Sequence, residues 1–221
     1  MRTIKKVASH IFIDGFGGMT QGLFATLIIG TMIQQIGLLI GGSTGNVIYL
    51  LGKAAAALTS AGIGVGVAVK YGESPLVTVS AAVAAMVGGY AGKITGGTFF
   101  VDGNAVLAGP GEPLGAFIAA FAGITCGHLV SGKTKVDIIV TPVITIGAGS
   151  VVGLLVGPPI SQMMTGLGSI INWATEQRPF IMGIVVSVVM GMVLTLPISS
   201  AALGIILNLS GLAAGAATIG C

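Results

Sequence analysis

Long apolar segments alternate with short polar connectors along this chain. A helix needs roughly 20 apolar residues to cross a hydrocarbon core about 30 Å thick. Seven segments approach that length, at about residues 20–40, 47–69, 76–92, 113–130, 138–156, 179–196 and from Pro197 onward. The pattern therefore predicts seven transmembrane helices.

The connectors contain residues that end one helix and begin the next. Glycines and an asparagine make GGSTGN (41–46) a predicted turn, and SGKTKVD (131–137) reads as a polar loop. In KYGESP (70–75), Pro75 suits the first position of a helix that Ser74 would cap. These connectors predict short links between neighbouring spans.

Two regions differ from this simple alternation. The segment 93–111 is too polar and too rich in glycine for a span, so it is either an external loop or a re-entrant element. Pro158 and Pro159 are predicted to close the fifth span, because proline disrupts a helix interior. The amphipathic segment 160–178 would then be a separate element.

Composition decides the class of protein. The chain has 221 residues, of which 54% are hydrophobic and only 7% charged, and its mean hydropathy is +1.05. A soluble domain carries roughly 25% charged residues, so these few charges do not cover a water-facing surface. The 38 glycines favour closely packed helices over a β-barrel. We predict an all-α integral membrane protein with a single membrane domain, 1–221, embedded in a lipid bilayer.

The charges also predict an orientation. The positive-inside rule favours a cytoplasmic N terminus in a multi-pass membrane protein. Six cations then lie inside, Arg2, Lys5, Lys6, Lys70, Lys133 and Lys135, and three outside, Lys53, Lys93 and Arg178. The basic start lacks a cleavage site and is not expected to be a removable signal. No basic, aromatic-rich patch indicates a nucleic-acid partner.

The segment GPGEPLG (109–115) holds the most informative acid of the chain. It places Glu112 between glycines and prolines, with apolar sequence on both sides. Intramembrane acids commonly line a substrate path, although an acid at the start of a helix also stabilises the helix dipole. Upstream, Asp102 and Asn104 lie in VDGN, where they are either turn formers or partners for substrate hydroxyl groups.

Two further polar residues precede the first span. Asp14 lies in IDGFGG and is a candidate for contact with substrate or a proton, and His10 is either an interfacial residue or a substrate contact. His128, near the end of the fourth span, is expected to pack at the interface. The sequence contains no nucleophile motif, phosphate-binding loop or metal-ligand cluster, so no cofactor and no metal are predicted. Cys126 and Cys221 form neither a disulfide framework nor a zinc site.

Parts of the chain resemble one another. IGLLIG (36–41) is similar to VGLLVG (152–157), and residues 73–92 are similar to residues 195–215. The members of the two pairs lie 116 and 122 residues apart. These similar offsets predict a parallel internal repeat of a four-helix unit, as known in transporters.

The first copy of this repeat would cover about 10–131 and the second about 138–221. The second copy reaches Cys221 before any counterpart of the segment that holds Glu112. We therefore expect the second copy to be truncated.

Three segments carry a resemblance to a known family. They are HIFIDGFGGMTQGLF, GGTFFVDGNAVLAGPGEPLGAF and LPISSAALGIILNLSGLAAGAATIGC, and the second contains the pattern G-x-x-E-P. In this order the segments resemble the membrane IIC permeases of the bacterial phosphotransferase system, in particular the compact IIC-like family. The resemblance covers essentially all 221 residues.

The resemblance implies a role for the G-x-x-E-P residues. In IIC permeases this glutamate binds sugar hydroxyls close to the hydroxyl that receives phosphate from the IIB subunit. Gly109, Glu112 and Pro113 match that motif, whereas Pro110 and Gly111 stand where the family usually has Ile-Thr. The resemblance also implies separate IIA and IIB proteins as phosphoryl donors, because the chain shows neither domain, and a homodimer.

Three functions remain open at this point. The chain is a sugar permease of the phosphotransferase type, a secondary transporter or channel for a small solute or anion, or a membrane regulator that transports nothing. In the second case Asp14 or Glu112 would be a proton site. An enzymatic role would be limited to presenting a sugar to a phosphorylated partner.

Overall fold

A computed structural model of the chain describes residues 14–107, 109–175 and 188. The chain divides into two compact units, Met1–Pro158 and Pro159–Cys221. All of the contacts discussed below lie within the first unit. His10, the predicted sixth and seventh spans and most of the second repeat copy lie outside the described residues.

The first span is a single long helix. Helix α1 covers Phe16–Ile40 and contains a π-helical segment at Phe24–Ile28. It ends at Gly41, whose φ of 66° reverses the chain at once, and α2 covers Gly42–Ala57. The prediction of a turn over 41–46 was therefore wrong beyond its first residue, because the amide of Gly45 donates to the carbonyl of Gly41 and closes the first helical turn.

The second predicted span is broken. Helix α3 covers Thr59–Lys70 and is bent by 53° relative to α2. The bend is centred on Leu58, whose amide donates to Ala55 in a tighter turn than that of an α-helix. The sequence pattern predicted one unbroken helix here.

Glycines let α1 pack closely against α2 and α3, which together run antiparallel to it. Four contacts line the interface, Gly37 with Gly45, Gly30 with Gly52, Gly22 with Gly62, and Gly18 with Gly66. A Cβ atom on Gly18 or on Gly45 would stand 2.5 Å from the carbonyl oxygen of its partner. The helix backbones therefore touch directly, as expected for small residues in membrane helices.

Helix α4 covers Pro75–Gly89 and begins as predicted. Ser74 caps it by accepting from the amide of Val77, and Pro75 occupies the first helical position. The helix ends at Tyr90, earlier than the predicted 76–92, and the short helix α5 follows at Ala91–Thr95.

The segment before the next span forms a small hairpin. Strands β1, Phe100–Val101, and β2, Asn104–Ala105, pair antiparallel with Val101 opposite Asn104. Both strands are exposed. The sequence left this region open between a loop and a re-entrant element, and the structure gives it a helical turn followed by this hairpin.

Helix α6 covers Pro113–Val130, the limits that the sequence predicted. Helix α7 covers Asp137–Thr175 and does not stop at Pro158 and Pro159, so the predicted end of the fifth span was wrong. Each proline lacks an amide proton and removes one helical hydrogen bond. Membrane helices tolerate this loss where neighbouring groups satisfy the freed carbonyls.

The core of the first unit lies where α3, α4 and α6 pack on one another. Small residues dominate it, with Ala81, Ala84, Ala116 and Ala120 fully buried. Among the described residues three helices are long and apolar enough to cross a membrane, and a fourth span results if the bent pair counts as one. The all-α membrane class predicted from the sequence is confirmed.

Candidate functional site

Three hydrogen bonds hold the loop before α6 in place. The amide of Glu112 donates to the carbonyl of Gly89 at 2.7 Å. The hydroxyl of Ser60 donates to the carbonyl of Pro110 at 2.9 Å, and the hydroxyl of Tyr90 donates to the carbonyl of Gly109. The loop is thus attached to both α3 and the end of α4.

Gly111 allows the loop to approach this surface. Its φ of 76° lies in the left-handed region, where a side chain is disfavoured. A Cβ atom here would also contact the hydroxyl of Ser60 and stand 3.2 Å from the carbonyl of Gly89. Both the backbone conformation and the close packing therefore require glycine at position 111.

The carboxylate of Glu112 caps α6. It accepts from the amides of Leu114, at 3.0 Å, and Gly115. Burial raises the pKa of the Glu112 carboxyl, and the two amide hydrogen bonds act in the opposite direction. A carboxylate offers about four acceptor positions, and the two amides use two of them. The remaining positions suit hydroxyl donors of a bound molecule.

Asp102 and Asn104 lie at the tip of the exposed hairpin. Asp102 and Gly103 have φ values of 50° and 77°, which make the two-residue turn that matches the twist of a hairpin. The side-chain amide of Asn104 donates to the backbone carbonyl of Asp102 at 3.4 Å. In the structure both residues therefore form a turn, one of the two roles that the sequence allowed. Glu112 differs from them, because it is partly buried and its amide is bonded to Gly89.

Asp14 lies in different surroundings, at the start of α1. The neighbouring Gly15 packs against Tyr71 and Phe117, and the ring of Phe16 stacks on that of Phe117 at 4.8 Å. Phe117 is five residues beyond Glu112, or about 8 Å along the axis of α6. Gly15 and Phe16, which follow Asp14, thus contact the second turn of α6, whereas Glu112 caps its start.

The charge of Asp14 acts on Tyr71 in the connector before α4. Burial, and then the negative charge of Asp14, raise the pKa of Tyr71 to about 12. When folding raises the pKa of an acid, the folded protein favours the neutral form of that group. The resulting contribution to stability is fully present at pH values below the ordinary pKa and is lost as the pH rises through the pKa of the folded state. For Tyr71 the loss runs from about pH 10 to about pH 12.

We expect Tyr71→Phe to make the protein less sensitive to alkaline pH. The variant has no phenol to ionise, so its unfolding midpoint should fall less than that of the wild type between about pH 10 and about pH 12. The effect should be modest, because Tyr71 is only partly buried. Thermal unfolding over this range measures it, with Tyr49→Phe as the control. Equal pH dependence in wild type and Tyr71→Phe would contradict the expectation.

Ser60 and Tyr90 are the site residues that the sequence did not reveal. Both lie in otherwise apolar sequence, LTSAG and GGYAG, where a polar residue is typical of hydrogen bonding between helices. The available signal was Thr59-Ser60 in the middle of an apparent span, where Thr59 now bonds the carbonyl of Ala56 at 2.6 Å.

A second polar group lies at the other end of α6. His128 contacts the carboxylate of Glu73 at 3.0 Å, and the hydroxyls of Ser74 and Ser131 lie 3.0 Å apart. The imidazole is exposed, so this pair links the connector before α4 to the end of α6 at the surface. Over the part of the chain that the structure describes, no three His, Cys, Asp or Glu side chains are placed to hold a metal ion.

Comparison with known proteins identified a family. The family model described as "Phosphotransferase system, EIIC" matches residues 13–221. Neither the curated proteins nor the solved structures include a significant match to the chain.

Proposed function

The chain belongs to the phosphotransferase system EIIC family, and from this premise we propose that it binds a small sugar-like substrate beside Glu112 and moves it across the bilayer. Family membership makes the chain a membrane component of a phosphotransferase transporter, a multi-pass protein that works with separate IIA and IIB proteins. The identity of the substrate, the site and the phosphoryl transfer belong to the proposal.

The single observation that supports the site is the setting of the Glu112 carboxylate. It is partly buried, it is held in place by two backbone amides, and its loop is bonded to two other helices. Such a group has a defined position before a ligand arrives, and preorganisation of this kind favours binding. A sugar hydroxyl would donate to the acceptor positions that the amides leave open.

The sequence proposes four further contacts, Asp102, Asn104, Asp14 and His10. Asp102 and Asn104 form the hairpin turn and Asp14 lies at the start of α1, so the proposed site centres on Glu112. Gly109, Pro110, Gly111 and Pro113 shape the loop that carries Glu112.

The proposed transport step uses the bend between α2 and α3. Transporters expose a fixed site to either side by moving one group of helices against another, and broken helices often mark the moving part. The bend of 53° lies next to the Glu112 loop. We propose a homodimer in the bacterial plasma membrane, with the N terminus in the cytoplasm.

A panel of sugars tests the binding step. The purified protein is heated in detergent with aldohexoses, N-acetylhexosamines, hexitols or disaccharides, and the midpoint of unfolding is compared with that of the free protein. A ligand that binds only the folded state raises this midpoint. We expect at least one sugar class to do so, and a panel without any such shift would contradict the sugar proposal.

Vesicles test the transport step separately. The protein is reconstituted into vesicles with or without the IIA and IIB proteins of the same organism inside, together with phosphoenolpyruvate. We expect the sugar to accumulate as its phosphate only when the donor chain is present. Uptake driven by a proton gradient without these proteins would identify a secondary transporter instead, and binding without uptake would identify a regulator.

A further inference from the structure

The bend between α2 and α3 has buried polar groups at its centre. Leu58 interrupts the helical hydrogen bonding, and the hydroxyl of Thr59 donates to the carbonyl of Ala56. Carbonyl groups at a helix end need partners from elsewhere, because the helix no longer supplies them. The bend is therefore a place where other parts of the molecule attach.

Two side chains connect this bend to the Glu112 loop. The hydroxyl of Tyr90 lies 3.3 Å from the carbonyl of Ala57 and also donates to the carbonyl of Gly109. The hydroxyl of Ser60, in the first turn of α3, donates to the carbonyl of Pro110 at 2.9 Å. The Tyr90 hydroxyl thus contacts Ala57, the last residue before Leu58, and the other hydroxyl belongs to Ser60, the second residue after Leu58.

Both side chains are well placed to transmit a change of angle. Tyr90 is 1% exposed and Ser60 is 0% exposed, so water does not replace their hydrogen bonds readily. Ser60 also packs tightly against Gly89 and Gly111, which removes free space between α3 and the loop. A change in the direction of α3 at Leu58 must then move the loop or break these bonds.

We propose that Tyr90 and Ser60 are positioning residues that couple the angle at the α2–α3 bend to the placement of the Glu112 carboxylate. In the EIIC transport cycle this coupling would make substrate binding and movement at the bend depend on each other. Its use in transport rests on the proposed function, whereas the coupling itself is measurable without any sugar.

Spin labels on either side of the bend test the coupling. Val47 and Val69 are exposed and lie eleven residues before and after Leu58. Their separation would be about 33 Å in a straight helix and about 30 Å at the observed 53°. The labels are attached to V47C and V69C in the full chain in lipid nanodiscs, with Cys126 and Cys221 replaced by serine, and the distance distribution is measured by double electron–electron resonance.

The variants are Tyr90→Phe and Ser60→Ala, each of which removes one hydroxyl. Phenylalanine retains the ring that packs on Phe99 at 5.3 Å, so the core around position 90 is preserved. Tyr49→Phe is the matched control, because it removes a hydroxyl from α2 about 12 Å along the helix from Ala57.

We expect both variants to broaden the distance distribution or shift it by up to about 3 Å, the difference between the bent and the straight helix, while Tyr49→Phe leaves it unchanged. Hydrogen exchange at the Glu112 amide, which donates to Gly89, should accelerate in the same two variants. Faster exchange in the loop with an unaltered distance distribution would overturn the coupling, as would no change in either measurement.

The sugar panel separates this result from a failure of the proposed function. If no sugar stabilises the wild type but the distance between the labels changes as expected in the variants, the coupling is supported and the sugar site is contradicted. If a sugar stabilises the wild type, Tyr90→Phe should reduce its stabilising effect although Glu112 is intact. An undiminished effect together with unmoved labels would refute the positioning role and leave the sugar site in place.

Discussion

Replacing Glu112 with glutamine is expected to abolish most sugar binding while lowering the stability of the fold by only about 1 kcal/mol. Leu114 donates to one carboxylate oxygen and Gly115 to the other. Glutamine keeps a single acceptor oxygen, so one of these two hydrogen bonds remains and the cap of α6 is weakened but not lost. The variant loses the negative charge. Hydrogen bonds to a charged group contribute about 1.5–3 kcal/mol, and their loss would lower sugar affinity by roughly 10-fold to 100-fold.

Thermal shift with the sugar panel measures this effect directly. Without sugar, the unfolding midpoint of Glu112→Gln should fall slightly, because one cap hydrogen bond is lost, and the sugar-dependent rise should largely vanish. Glu73→Gln is the matched control, since it makes the same chemical change in the surface pair with His128. Equal stabilisation of wild type and Glu112→Gln by the same sugar would show that Glu112 only caps its helix.

The second large effect concerns the glycine contacts of the first helices. Gly22→Leu should destabilise the packing of α1 against α3 by about 3 kcal/mol or more, because overpacking forces backbones apart. A Cβ atom on Gly22 would overlap the carbonyl of Gly62 and stand 2.7 Å from the nitrogen of Ile63. Both neighbours are backbone atoms, so a rotation of a side chain does not relieve the clash.

Gly147→Leu is the control for this substitution. Gly147 lies in α7, and a Cβ atom there meets nothing within 4 Å. Leucine is also the better helix former, so this variant should be neutral or slightly stabilised. Unfolding in detergent, followed by circular dichroism, compares the two. Similar stability of both variants would mean that the close approach of α1 and α3 is not required.

Much of the fold follows from local sequence signals. The start of α6 was predicted because Glu112 and Pro113 form an ordinary helix start, and Ser74 with Pro75 predicted the start of α4. Each of these signals is satisfied by residues within one turn. They therefore need no knowledge of the rest of the molecule.

The errors arose where distant parts of the chain decide the outcome. The stretch 47–69 is mostly apolar and contains no proline, so its pattern indicates a straight span. The break at Leu58 becomes acceptable because Tyr90, more than thirty residues away, approaches the carbonyl of Ala57. At Pro158 and Pro159 the sequence signal for a helix end was present, yet the helix continues through it. Tertiary contacts of this kind are not visible in a single sequence.

The candidate site shows the same division. Glu112 was recognisable because an acid is rare in so apolar a chain, whereas its support by Ser60 and Tyr90 appears only in the folded molecule. The departure of Pro110 and Gly111 from the usual Ile-Thr also has a structural explanation. The positive φ of Gly111 and its contact with Ser60 exclude a β-branched threonine at that position.

The glycine contacts of α1 also bear on how this protein tolerates insertions and deletions. The contacts Gly22 with Gly62 and Gly30 with Gly52 are eight residues apart in α1 but ten residues apart along α2 and α3. The mismatch falls where the π-helical segment Phe24–Ile28 faces the break at Leu58. Each half of the pair consequently keeps its own register, and the middle absorbs the difference. One residue gained or lost there over evolution would leave both sets of glycine contacts in place, whereas the same event beyond Gly30 would misalign Gly37 from Gly45.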